Sequence, residues 1–279
     1  MDVNRWLRRF WAAVWLTWKE QSNWTKPYIY ILYSMITPFF SVLVYAYIYI
    51  AIAFFSGLVD LERAYYLVTG VSLYNFIGSG LYGLIWTIHS EREHFRTLKY
   101  TYLAFPSLHI YLMARSFFHF ILGAIYAFIM FLAGIVLTGY PIDSLQPNIM
   151  EIVILMILGY IWSSQLGVMV AGTSIFSSEY GPLISEAVGG ILFLAGAVLY
   201  PVSTLPPFIQ PISYIFPMVE WMELMRHALN PAYVVSEPSS LYLILALKTL
   251  LYLIISIIYF SIIERLTRQK GYLEATLHH

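Results

Sequence analysis

Six stretches of this chain are apolar for long enough to cross a lipid bilayer: residues 27–55, 64–88, 110–139, 149–176, 182–200 and 241–263. A spanning helix needs about 20 mostly apolar residues. Within lipid no water is available to satisfy backbone amides, which leaves helices or closed barrels as the spanning structures. Runs of this length fit helices, so the expected fold class is all-α: a polytopic membrane protein with six transmembrane helices in one domain over 1–279. Composition agrees, with 60% hydrophobic and 11% charged residues and a mean hydropathy of +0.72, far from soluble domains. The absence of cysteine excludes disulfides, Cys-ligated zinc and thiol catalysis. A formal net charge of zero provides no global field to recruit nucleic acid.

Residues 1–24 follow another pattern. Trp6, Leu7, Phe10, Trp11, Val14 and Trp18 share one helical face, and Arg5, Arg8, Arg9 and Lys19 take the other. Such a helix lies in the membrane interface against lipid. Arg8, Arg9, Lys19 and Glu20 interrupt the apolar core that a signal peptide needs, so the segment is expected in the mature protein.

If the spans alternate, Arg5, Arg8, Arg9, Lys19, Lys26, Arg92, Arg96, Lys99, Arg265, Arg268 and Lys270 fall on one side. By the positive-inside rule that side is cytoplasmic, and both termini lie there. The other side holds Arg63 and Arg226 among Asp60, Glu62, Asp143, Glu220, Glu223 and Glu237.

Two segments do not read as spans. Residues 90–105 form the densest charge cluster and read as a short amphipathic surface helix, with Arg92, Arg96 and Lys99 along one stripe and Phe95, Leu98, Tyr102 and Phe105 along another. Pro106 ends that helix and Ser107 can cap the next. Residues 201–231 are rich in proline yet apolar, and proline at that density breaks a spanning helix. They read as a re-entrant helical hairpin entered from outside, protected from lipid by the surrounding protein. Its proline-bounded pieces can pivot, which makes it the candidate external gate.

The stretch Glu91-Arg92-Glu93, Leu98, Pro106 and Ser107 resembles the Glu-Arg-Glu-Arg-Gly…Leu…Thr-Pro-Val-Ser pattern that follows the second span in ABC-2 type transporter permeases. Leu199-Tyr200-Pro201, Leu205-Pro206, Ile212, Pro217 and Arg226 resemble that family's Phe-Pro…Leu-Pro…Pro…Arg pattern between spans five and six. The resemblance covers nearly the whole chain. It departs where the family often has Arg-Gly-Thr and this chain has His94-Phe95-Arg96-Thr97, so a glycine that allows close backbone approach is missing.

The resemblance implies that 90–105 is a coupling helix fitting a groove on a separate ABC ATPase, with Glu91, Arg92, Glu93, Phe95, Arg96, Leu98, Lys99 and Tyr102 as coupling residues. Phe95 and Leu98 are the expected anchors, and Arg92 and Arg96 set orientation. It also implies export from a prokaryotic cell membrane by two permeases, the same or related chains, with two ATPases. No Gly-x-x-x-x-Gly-Lys-Ser/Thr occurs; this chain is expected to hold no cofactor, with ATP and magnesium bound in the partner. The external gate residues are Pro201, Leu205, Pro206, Pro217 and Arg226. An amphiphile, a glycan or lipid-type molecule, or a hydrophobic drug would suit the path.

Charged residues inside spans are costly and worth suspicion. Glu186, Lys248 and Arg115 qualify; Lys248 lies at a depth to reach Glu220 or Glu223, while snorkelling is the plainer reading of Glu186 and Arg115. Tyr45 and Tyr47 are candidate pathway aromatics, with interhelical hydrogen bonding as the alternative. His89 and His94 are five apart, which points their rings in different directions and argues against a metal site. Catalytic residues are not expected. An intramembrane enzyme would have His119 and Ser164 as its nearest candidates, with no motif joining them; a channel or scaffold is the other alternative. The terminal His278-His279 carries no weight in these readings.

Overall fold

A computed structural model describes residues 3–105, 107–176 and 180–270, and these contain helices and turns with no strand. In chain order the helices are α1 (Val3–Ser22), α2 (Pro27–Ser56), α3 (Leu61–His89), α4 (Leu98–Ala104), α5 (Leu108–Thr138), α6 (Ile149–Phe176), α7 (Tyr180–Ala195), α8 (Gln210–Ser213), α9 (Met218–Leu229) and α10 (Pro238–Lys270). Among the described residues, five of them are long and apolar enough to cross a membrane: α2, α3, α5, α6 and α10. Their ends carry familiar signals. Asp60 accepts from the Arg63 amide at the start of α3 and Ser107 from the His109 amide at the start of α5, while left-handed Gly57 and Gly139 close α2 and α5.

Helix α3 is the axis of the bundle. Of its most apolar stretch 72% is buried, against 17% for α2 and 22% for α10, which leaves the last two as outer helices with long exposed apolar faces. Ile77, Leu81, Leu84 and Ile88 of α3 meet Tyr111 and Leu112 of α5, Trp162 of α6 and Trp221 of α9 in one core. Small residues let α3 and α5 approach closely. A Cβ on Gly83 would stand 2.4 Å from the His119 ring.

Helix α1 packs one stripe, Phe10, Ala13, Val14 and Trp18, against the bundle, where Trp18 meets Tyr30 and Phe118. Trp11 and Trp15 remain exposed on its outer side. The apolar face read from the sequence thus divides between the protein and the surroundings.

The helix in the region of 182–200 stops at Ala195, short of Tyr200. The Gly196 amide closes onto the Leu192 carbonyl, and Ala197 then takes a left-handed φ of 57°. At 1.5 Å per residue, the 16 residues of α7 extend about 24 Å. Residues 201–231 contain the short turn Val202–Thr204, α8 and α9. Met218, Trp221, Met222 and Leu224 of α9 are fully buried, so α9 packs into the protein core while Phe208, Tyr214, Ile215 and Pro231 of the same segment are exposed.

Candidate functional site

The charged run after α3 is not one amphipathic helix. Residues Ser90–His94 continue α3 as a single π-helical turn, the chain bends over 95–97, and α4 begins at Leu98. The wide turn shows in the Phe95 amide bonding to the Ser90 carbonyl and the Thr97 amide to the Glu91 carbonyl. Between them Arg96 has φ 54°, the left-handed region that glycine enters without strain. Within the stretch where the family's glycine is missing, this chain therefore holds a non-glycine residue in a conformation that favours glycine.

Burial supplies the reason for the break. Glu91 and Arg92 are 1% and 7% exposed, and charges taken from water need partners. Arg92 donates to the carbonyls of Ser174 (2.8 Å) and Ile175 (2.9 Å), the last turn of α6. Carbonyls there lack amide partners and form the negative end of the helix dipole. Glu91 accepts from the Tyr111 hydroxyl and lies 3.5 Å from the Arg115 guanidinium. Arg115, wholly buried, also bonds Glu20 of α1. One arginine on α5 therefore ties the N-terminal helix to the end of α3.

Two of the expected coupling residues thus face inward, and so does the expected anchor Leu98, at 2% exposure. That corrects the surface stripe read from the sequence: the bend at Arg96 turns Phe95 and Leu98 to opposite sides. Glu93 is half-buried beside Arg92. Phe95, Arg96, Lys99, Tyr100 and Leu103 are exposed, as are His94 and Ala104. The Tyr102 side chain and Pro106 lie outside the described residues. Behind α4, Glu264 of α10 accepts from the Leu108 amide (2.9 Å) and so joins α10 to the start of α5.

A third buried arginine organises the opposite end. Arg226 of α9, with no exposure, donates to the carbonyls of Ala197 (2.7 Å), Val198 (3.2 Å) and Tyr66 (3.2 Å) and to the Thr69 hydroxyl (3.2 Å). It lies over the Tyr66 ring at 3.5 Å and pairs with Glu223. It thereby satisfies the free carbonyls after α7 and fastens them to α3. Gly70 makes the fit possible, because a Cβ there would lie 1.9 Å from the Val198 carbonyl oxygen. Glu223 also accepts from Tyr233 (2.6 Å); burial first, and this carboxylate second, hold the Tyr233 phenol above its ordinary pKa. Lys248 pairs with Glu220 at 2.6 Å, one of the two partners its depth allows. Leu205 and Pro217 are buried, whereas Pro201 and Pro206 are exposed.

Between α1, α2, α3, α5 and α7 lies a cavity of about 580 Å³. Glu186 borders it, together with Tyr82, Trp86, His89, His119 and Tyr126. Tyr45 and Tyr47 do not: Tyr45 packs on Phe193, and Tyr47 is exposed on α2. Ser164 donates to the Ile161 carbonyl of its own helix and does not border the cavity, so no pair with His119 forms there. Sequence reasoning missed Glu20 and Tyr111 as partners of the charged run. The signal available was the spacing of Tyr111, Arg115 and His119, one turn apart on α5.

Five helices long and apolar enough to cross a membrane, among the described residues, packed around buried ion pairs and a largely aromatic cavity, are the architecture of a multi-pass membrane protein. The chain belongs to the ABC-2 type transporter family, whose model matches residues 8–230. It is the membrane permease of an ABC transporter, a family that typically works with an ABC ATPase. A comparison with curated proteins found no match.

Proposed function

We propose that this permease exports an amphiphilic, glycan or lipid-type molecule, or a hydrophobic drug, from the cytoplasm of a prokaryotic cell. Two ATPase subunits, carrying ATP and magnesium, drive two permeases, which are copies of this chain or related chains. In this reading α7 with the residues up to Tyr200 completes a sixth span, 201–231 forms the external re-entrant gate, and both termini are cytoplasmic.

The observation that carries the reading is the two-sided construction of residues 90–104. An exposed face of Phe95, Arg96, Lys99, Tyr100 and Leu103 is rooted through Glu91 and Arg92 in α1, α5 and α6. A docking element must hold its partner and also transmit displacement to the spans, which requires contacts that survive in both states. Buried polar ties do the second job, and the exposed aromatic and basic face does the first.

Phe95→Asp combined with Tyr100→Asp is expected to abolish co-purification with the cognate ATPase, the protein of that class encoded beside the permease, while the permease remains monodisperse in detergent. Undiminished ATPase capture by that double variant would sink the docking assignment. Leu98→Asp is a poor probe, since it places a charge in the core.

A further inference from the structure

The cavity beside Glu186 has a chemical character of its own. At about 580 Å³ it falls within the range that holds drug-sized molecules. Among the described residues that border it, Glu186 is the one formal charge at neutral pH, and no lysine or arginine joins it. Arg115, one turn from His119, is already engaged by Glu20 and Glu91. The walls are largely aromatic, with Tyr30, Tyr82, Trp86 and Tyr126 bordering the space. Two imidazole nitrogens at its edge, Nε2 of His119 and Nδ1 of His89, are buried without a hydrogen-bond partner, and His119 itself is 9% exposed. At its wall the His119 ring sits directly against Gly83, where a Cβ would stand 2.4 Å from it.

Glu186 is exposed at the rim of this cavity with no lysine or arginine among the lining residues to neutralise it, and electron-rich ring faces attract cations. Both features favour one occupant. We infer that this cavity binds an amphiphilic organic cation, with its charged centre between the Glu186 carboxylate and the Tyr82 and Trp86 rings and its apolar groups against Tyr126 and Leu122. The inference names the substrate class of the transport reading above and rests on it for its purpose. Binding itself requires no ATPase.

The test uses the full chain in lipid nanodiscs and two probes of nearly identical shape and opposite charge, tetraphenylphosphonium and tetraphenylborate, with empty nanodiscs as background. Saturable binding of the phosphonium and none of the borate is expected. Glu186→Gln should weaken phosphonium binding by about tenfold or more, Glu186→Asp should stay within about threefold of the parent, and Trp86→Ala, at a largely exposed side chain, should weaken it without loss of fold. Equal binding of the borate, or unchanged phosphonium affinity in Glu186→Gln, overturns the assignment. Loss of ATPase capture in the Phe95/Tyr100 variant leaves phosphonium binding intact, so failure of docking and failure of the cavity assignment are read separately.

Discussion

The pair Lys248–Glu220 allows a prediction whose size follows from the structure. The two groups are 2.6 Å apart, with side chains 19% and 5% exposed. Removing one partner of a buried pair typically costs about 3–5 kcal/mol, whereas replacing both by apolar groups is often close to neutral. Lys248→Met leaves the Glu220 carboxyl in the core without its cation, and Glu220→Gln leaves the Lys248 ammonium without its anion, so each single variant should be destabilised by about 3–5 kcal/mol. The double variant Lys248→Met/Glu220→Met should lie within about 1.5 kcal/mol of the parent, because it removes both charges together and keeps most of the volume. Unfolding of detergent-solubilised protein, followed by tryptophan fluorescence, reads all three. Single variants within about 0.5 kcal/mol of the parent, or a double variant as unstable as the sum of the singles, would refute the pairing.

Four further outcomes are expected. Gly70→Ala should destabilise by about 1–3 kcal/mol through overpacking, because its Cβ would strike the Val198 carbonyl; the melting temperature in detergent reads it. Arg92→Gln should raise hydrogen exchange in the last turn of α6 by at least about tenfold, since two charge-assisted bonds of about 1.5–3 kcal/mol each are weakened. Arg96→Gly should raise stability by up to about 1 kcal/mol by relieving a left-handed φ of 54°, measured by the same melt and with ATPase capture retained. Glu20→Gln should loosen α1 from α5, seen as faster proteolysis between α1 and α2, because Arg115 loses one of its two carboxylates.

Hydropathy makes the long helices legible, because a bilayer demands a continuous apolar run and says so in every residue of it. Charge pairing across helices is less legible. Lys248 was placed near its partner by depth alone, since both residues lie close to one end of their segments. Glu20 was read only as an interruption of an apolar run, because its partner Arg115 is far away in sequence. The amphipathic stripe through Phe95 and Leu98 assumed a constant period of 3.6. A π turn and a left-handed residue change the angular offset, and nothing in the local pattern of charges announces either. The end of α7 shows the same weakness, since Ala197 is left-handed where Arg226, on another helix, collects the carbonyls of 197 and 198.

The two arginines with no exposure, Arg115 and Arg226, have related tasks at opposite ends of one helix. Arg226 holds the start of α3 through Tyr66 and Thr69, and Arg115 holds the turn that continues its end through Glu91. Each side chain also grips a second element, the residues after α7 in one case and α1 in the other. At 1.5 Å per residue, the 29 residues of α3 make a rod about 43 Å long, tied at both ends by contacts that cannot be exchanged for water without exposing or orphaning a charge. If a partner pushes on Phe95, a flexible connection at 95–97 would absorb the displacement. Arg92 in the turn before it, fixed to the carbonyls of α6, and Leu98 just after it, fixed in the core, leave little slack. Under the proposed docking, displacement of the face that carries Phe95 and displacement of α3 would be one motion, because α3 is a continuous rod from that turn to Gly70.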